Sequence, residues 1–203
     1  MKLYLLFLVV ATATVFSPGP GVVMTLSNAL QSGLKGTFGG ILGIAFGALI
    51  VAGISATSLG LLLATSAVAF TALKFIGAAY LVYLGIKLWR APALQFTAPQ
   101  PLEVEFRTRF LEGLSLQLTN PKAIFFFLSV FPQFIDPGRD YSVQFSLLVL
   151  TYSGLVVVIH CLYALFAQRA RHWLTSPRGG RIVSKVGGAT FICFGAALAT
   201  AKR

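Results

Sequence analysis

Charge is what this chain has least of. Only 10% of its 203 residues are Asp, Glu, Lys or Arg, where a soluble domain carries about 25%. Hydrophobic residues reach 57% and mean hydropathy is +0.84, which excludes water-soluble enzyme folds and leaves an all-α integral membrane protein. Acids are scarcest: Glu103, Glu105, Glu112, Asp136 and Asp140 are the whole set. Only Glu112 approaches an apolar segment, so no carboxylate stands at mid-membrane to pair with a cation or carry protons. The two cysteines, Cys161 and Cys193, lie in apolar runs without CxxC spacing and read as inert buried thiols. The sequence has no His/Cys/carboxylate cluster at metal-ligand spacing, no nucleophile motif and no phosphate-binding loop. An enzyme, a metal and a cofactor are therefore not expected. The net charge of +11 would suggest nucleic acid in a soluble protein. Here the basic residues gather in short segments between apolar runs, as the positive-inside bias produces, so the expected partner is the lipid bilayer and not nucleic acid.

At about 20 apolar residues per span, the length fits six transmembrane helices in one domain, 1–203. The spans are expected near 3–29, 38–62, 67–89, 110–134, 142–167 and 183–201. Between them lie a short loop at 31–37, a turn near 64–66, a polar linker at 91–109, and a basic loop with Arg169, Arg171, Arg178 and Arg181. Leu3 to Ala13 has some look of a cleavable signal, but the apolar character continues through Val15-Phe16 and resumes at Val22, which makes it the first helix. Gly39, Gly43 and Gly47 share one face of the second span, a pattern that lets helix backbones approach closely in lipid.

The two halves also match. Gly77 to Gly85 aligns without a gap on Gly187 to Gly195, and Ser17-Pro18 and Asn120-Pro121 fall in the first helix of each half. With three helices per half, the second copy enters from the opposite side, which gives two inverted three-helix repeats at about 1–90 and 110–203. Ten Lys and Arg flank the first, third and fifth loops against four on the other side, which places both termini outside the cytoplasm.

The proline breaks are where chemistry is expected. Ser17-Pro18-Gly19-Pro20-Gly21 interrupts the first span and Asn120-Pro121-Lys122 the fourth. In lipid, backbone groups freed by proline need protein or a water-lined cavity to satisfy them, and paired broken helices point to a transporter binding site. Lys122 is the deepest ionisable residue, roughly 18 Å from either end of its span at 1.5 Å per residue, and is a functional candidate by its position. Lys74 is nearer an end of the third span and within snorkelling reach. His160, near the middle of the fifth span, reads more simply as a core histidine satisfied by a neighbour. Gln117, Thr119 and Asn120 suit either ligand binding or capping of the broken helix. Two basic residues within spans, without an acid, favour an anionic group such as a carboxylate, to which the half-helix starting at Pro20 offers its N-terminal N–H groups. An ammonium would rely on backbone carbonyls near Val15 to Ser17 and on Asn120. Together these features suit a zwitterion with a neutral side chain.

On these residues the chain resembles the LysE/RhtB family of bacterial amino-acid exporters over nearly its whole length. The matching stretches are Ser17-Pro18-Gly19-Pro20, Leu73 to Gly85, Phe110 to Gly113, Asn120-Pro121-Lys122-Ala123, Phe125-Phe126 and Pro132-Gln133-Phe134. The resemblance implies export of amino acids of the threonine, homoserine or leucine type across the inner membrane, driven by the proton-motive force. It also implies that both proline breaks and Lys122 belong to the transport site. Lys122, Lys74 and His160 are the candidates for coupling to protons. The chain departs from the family where Gly21 stands in place of a frequent Asn or Asp, and where Ala48 follows Gly47 in place of a frequent acid. An exporter of another small solute or a metal ion on the same architecture is the alternative, and a homo-oligomer stays open.

Overall fold

Proline and glycine decide where the helices of this chain stop. The computed structural model describes residues 2–65, 67–92, 104–136 and 138–200, with side chains at 57–65, 67–70 and a few single positions, Lys74 among them, outside the described set. Among the described residues the fold is all-helical. Its elements are α1 (Lys2–Phe16), α2 (Pro20–Thr65), α3 (Ala67–Arg90), α4 (Phe106–Leu118) and α5 (Pro121–Phe125). A π turn (Phe126–Val130) and a 3₁₀ turn (Phe131–Phe134) follow, then α6 (Tyr141–Arg169), α7 (Arg171–Leu174) and α8 (Pro177–Thr200). The chain is interrupted at both expected prolines, and a third, Pro132, cannot donate to the helical ladder, which fits the irregular turns around it. Within α2 and α6, Pro20–Ala56 and Tyr141–Arg169 are long and apolar enough to cross a membrane.

The loop expected at 31–37 is a reversal at one residue. Gly33 has φ 66° and ψ −172°, a region essentially confined to glycine. The two arms of α2 run antiparallel about it: Gly40 stands beside Met24 and Asn28, and Gly21 beside Ile44. One residue in this conformation turns the chain without a loop, and Thr37 Oγ1 donates to the Gly33 carbonyl at 2.7 Å.

The glycine row on the second arm faces α4. A Cβ on Gly39 would lie 2.6 Å from the Phe106 carbonyl oxygen and one on Gly47 2.8 Å from Gln117 Cβ. These two backbones are as close as small residues allow. α3 and α8 pair similarly through Gly85 and Gly188 and through Ala78 and Gly195. An aromatic cluster ties α1, the turns after α5 and α6 together, with the Phe126 and Tyr152 rings 4.8 Å apart and Phe7 and Phe134 at 5.4 Å.

Two boundaries differ from expectation. α4 begins at Phe106, so the last four residues of the expected linker are helical and Arg109 is a buried helix residue instead of a loop charge. The basic loop shrinks to α7 and a tight turn, because Ser176 Oγ accepts from Gly179 N–H at 3.1 Å and Pro177 opens α8. A serine cap followed by proline at the first helical position is a helix start, and it carries Arg178 and Arg181 into α8.

Candidate functional site

At the first break, three carbonyls that lose their helical donors are taken up by side chains. Pro18 lacks the N–H that would reach Thr14 O, and Pro20 the one that would reach Phe16 O; the helix also stops short of covering Ser17 O. Each finds another donor, as buried backbone groups must. Tyr163 Oη donates to Phe16 O at 2.5 Å. The Lys122 ammonium donates to Thr14 O at 2.9 Å, Ser17 O at 2.9 Å and Ser17 Oγ at 3.0 Å. Ser17 Oγ also donates to Thr14 O at 2.8 Å. A lysine ammonium has three N–H donors, and here three acceptors surround it. Gly19 makes the approach possible, since a Cβ there would lie 3.1 Å from Lys122 Nζ.

The second break presents that lysine. Pro121 has no N–H to give Gln117 O, and Asn120 N–H takes its place at 3.2 Å. Asn120 Oδ1 caps α5 by accepting from Lys122 N–H at 3.1 Å, and its Nδ2 donates to Gln117 Oε1 at 3.4 Å. Asparagine at the cap with proline at the first helical position fixes where α5 begins. Lys122, one residue on, therefore leaves the helix toward the first break.

Beside Lys122 lies a cavity of about 20 Å³, lined by Gly21, Ile44, Asn120, Tyr152 and His160 among others. It has room for about one water and none for an amino acid. His160 is buried and shares a 2.7 Å hydrogen bond, Nδ1 to Thr25 Oγ1. This is the satisfied core histidine the sequence suggests, yet its ring also borders the cavity. A Cβ on Gly21 would stand 3.3 Å from His160 Cε1, so the imidazole lies where a side chain at 21 would begin.

The structure thus brings Ser17, Gly19, Asn120 and Lys122 into contact distance, with Gly21 and His160 on the same cavity. Pro20 and Pro121 act by opening helices. Pro18 turns its carbonyl toward Gly187 of α8 instead. Lys74 belongs to α3, and its side chain lies outside the described residues.

A further polar cluster was not anticipated. Arg109, 7% exposed, donates through Nη1 to Asn28 Oδ1 at 2.8 Å and to Glu112 Oε2 at 3.1 Å, while Asn28 Nδ2 reaches the same carboxylate oxygen at 3.3 Å. Arg109 Nη2 reaches Gln31 Oε1 at 3.5 Å. The cluster pins the first arm of α2 to α4 on the side where the linker attaches. Its only signal in sequence is the i, i+3 spacing of Arg109 and Glu112, a pair usual on exposed helices.

The chain matches the family described as LysE type translocator over residues 12–202. It is 34% identical over 197 residues to the homoserine/homoserine lactone efflux protein of Salmonella typhimurium, covering 97% of this chain and 95% of the relative. It is 32% identical to the leucine efflux protein of Salmonella choleraesuis, over 97% and 94% of the two chains. A membrane protein of Vibrio cholerae, with no activity in its name, is 38% identical over 94% of each. No solved structure matches the chain. The chain belongs to the LysE-type translocators and is a membrane transporter, not an enzyme.

Proposed function

We propose that this protein exports neutral amino acids or close derivatives, of the threonine, homoserine or leucine type, across the bacterial inner membrane by alternating access. The reading includes six spans in two inverted three-helix repeats, with both termini on the periplasmic side. The α3–α8 contact supports the repeat. Under the alignment that sets Gly77 on Gly187, Gly85 corresponds to Gly195, and Gly188 to Ala78. The approach of Gly85 to the Gly188 carbonyl, 2.7 Å from an added Cβ, then has its counterpart in Gly195 and the Ala78 carbonyl, also 2.7 Å. A pseudo-twofold axis between the halves would generate that exchange.

One observation carries the transport reading: the Lys122 ammonium, from the second break, is held by carbonyls exposed by the first. Thr14 O, Ser17 O and Ser17 Oγ are the acceptors a substrate ammonium would need. In this structure the Lys122 ammonium takes that place. A zwitterion entering the cavity offers its carboxylate to Lys122 and its own ammonium to the vacated carbonyls. The exchange keeps every donor partnered and leaves no charge unpaired in a low-dielectric site, where a lone ion is costly. The cavity must then widen, which couples occupancy to movement of the broken helices. Coupling to the proton-motive force is part of the proposal, with Lys122 and His160 bordering the cavity and Lys74 the candidate from α3. The relatives named for homoserine and leucine efflux support the substrate class.

The test is efflux from proteoliposomes loaded with leucine, threonine or homoserine, with and without a pH gradient. Export of at least one, accelerated by the gradient, is expected. Retention of all three would overturn the reading.

A further inference from the structure

A second cavity, about 670 Å³, lies among α2, α3, α4 and α8. Its outer residues, Ala91 and Glu112, are close in sequence to the ends of the linker, and its inner end is formed by Gly19 and Pro20. Gly19 is also the residue against which the Lys122 ammonium lies, so this cavity ends one backbone thickness from the Lys122 site. The volume is in the range of small-molecule sites, about 300–1,000 Å³. Its walls are mainly apolar, with Val23, Leu88 and Phe191 among them, and carry one base, Lys87, and one acid, Glu112.

The two charged groups differ in how far they are already used. Glu112 Oε2 accepts from Arg109 Nη1 and Asn28 Nδ2, at 3.1 and 3.3 Å. Oε1 has no hydrogen-bond partner among the described residues. A carboxylate has about four lone-pair sites, so Glu112 is oriented by its neighbours with capacity left over. Lys87, on the α3 wall, has no ion-pair or hydrogen-bond partner among the described residues. A simple carboxylate would satisfy only Lys87 and a simple amine only Glu112; a zwitterion satisfies both.

We propose that this cavity is a loading site for zwitterionic ligands, in which Glu112 receives the ammonium and Lys87 the carboxylate before the ligand passes Gly19 to Lys122. The inference rests on the amino-acid export reading and adds a second, outer site to it. It gives the ammonium a carboxylate partner in the vestibule, ahead of the carbonyls that receive it at the inner site.

The experiment measures uptake of labelled leucine into inside-out vesicles, which present the linker face to the medium in the proposed orientation. Glu112→Gln and Lys87→Gln should each raise the half-saturating concentration about tenfold, the loss of one hydrogen bond to a charged group, while Glu112→Asp and Lys87→Arg keep most of the affinity. Competitors separate the two roles. Glu112→Gln should erase the preference for leucine over its des-amino acid, 4-methylpentanoate, and Lys87→Gln the preference over leucinamide. Lys87→Gln disturbs no described partner, so it answers the question even where Glu112→Gln misfolds. Unchanged half-saturation in both variants, beside an active wild type, would overturn the loading site and leave the export reading standing. A wild type that carries no amino acid would remove both. The headgroup of phosphatidylethanolamine is also a zwitterion, so the series is repeated in vesicles without that lipid. Persistence of the shifts there supports an amino-acid ligand, and their disappearance would mean the cavity holds lipid.

Discussion

Alanine substituted for Gly43 tests whether the α2–α4 contact sets the geometry of the site. A Cβ at that position would run into the Phe110 carbonyl oxygen and stand 2.8 Å from the Leu114 amide nitrogen. Both are backbone atoms of α4, so no rotamer change relieves the overlap and α4 must withdraw. A gap of about 0.5–1 Å forfeits a quarter to a half of each dispersion contact along the interface, and overpacking of this kind costs about 1–3 kcal/mol. Alanine recovers about 0.5–1 kcal/mol of helix propensity over glycine, leaving a net loss of up to about 2.5 kcal/mol. Over a chain of this length that is a fall of up to about 10 °C in Tm. Gly154, inside α6, is the control: a Cβ there meets nothing within 4 Å, so Gly154→Ala should hold or raise Tm. Thermal unfolding of the two purified variants in one detergent decides the matter. A Tm for Gly43→Ala equal to or above that of Gly154→Ala would refute the close-contact argument. Transport should fall with stability in Gly43→Ala, because α4 leads directly into Asn120.

Three further outcomes follow from single residues. Gly33→Ala forces a Cβ into a glycine conformation and sets it 2.9 Å from Gln168 Nε2, which should cost at least about 1–3 kcal/mol and show as a lower Tm. Asn120→Ala removes the cap of α5, at about 0.5–2 kcal/mol, and should lower the transport rate by misplacing Lys122; Asn120→Asp keeps an oxygen acceptor for the Lys122 amide and should retain most of the stability, as thermal unfolding will show. Arg109→Met removes the guanidinium donor to Asn28 Oδ1 and Glu112 Oε2 and should cost about 1–3 kcal/mol in denaturation. That is below the roughly 3–5 kcal/mol of a wholly buried pair, because the Glu112 side chain is 42% exposed.

Residues that act through backbone rules could be read from the sequence. Pro18, Pro20 and Pro121 announce helix interruptions wherever they stand, and the spacing of Gly39, Gly43 and Gly47 announces a close neighbour without saying which. The neighbour is α4, a partner about 70 residues away, and that comes from tertiary packing alone. Gly33 was visible as a glycine in a polar stretch, but nothing local separates a loop from a single-residue reversal. Arg109 shows the limit most clearly. Its charge and its place beside a polar linker read as solvent exposure, whereas its burial depends on Asn28 and Gln31, supplied by another helix. For Lys122, depth and isolation mark it as functional and the prolines mark carbonyls near Val15 to Ser17 as acceptors for an ammonium; that the Lys122 ammonium itself lies on Thr14 O and Ser17 O follows only from how the two breaks pack together. The cavity holding Lys87 and Glu112 draws on four helices and appears only once they are assembled.

In the proposed export cycle Lys122 stands in for the substrate ammonium until substrate arrives. The direct measurement is export by Lys122→Met, reconstituted beside the wild type with equal insertion checked by protease protection. The substitution keeps the unbranched stem of the side chain and removes its charged end. Export should fall at least roughly 30-fold, as expected for a buried charge partner worth about 2–5 kcal/mol, with the protein still inserted. Wild-type export by Lys122→Met would contradict the account.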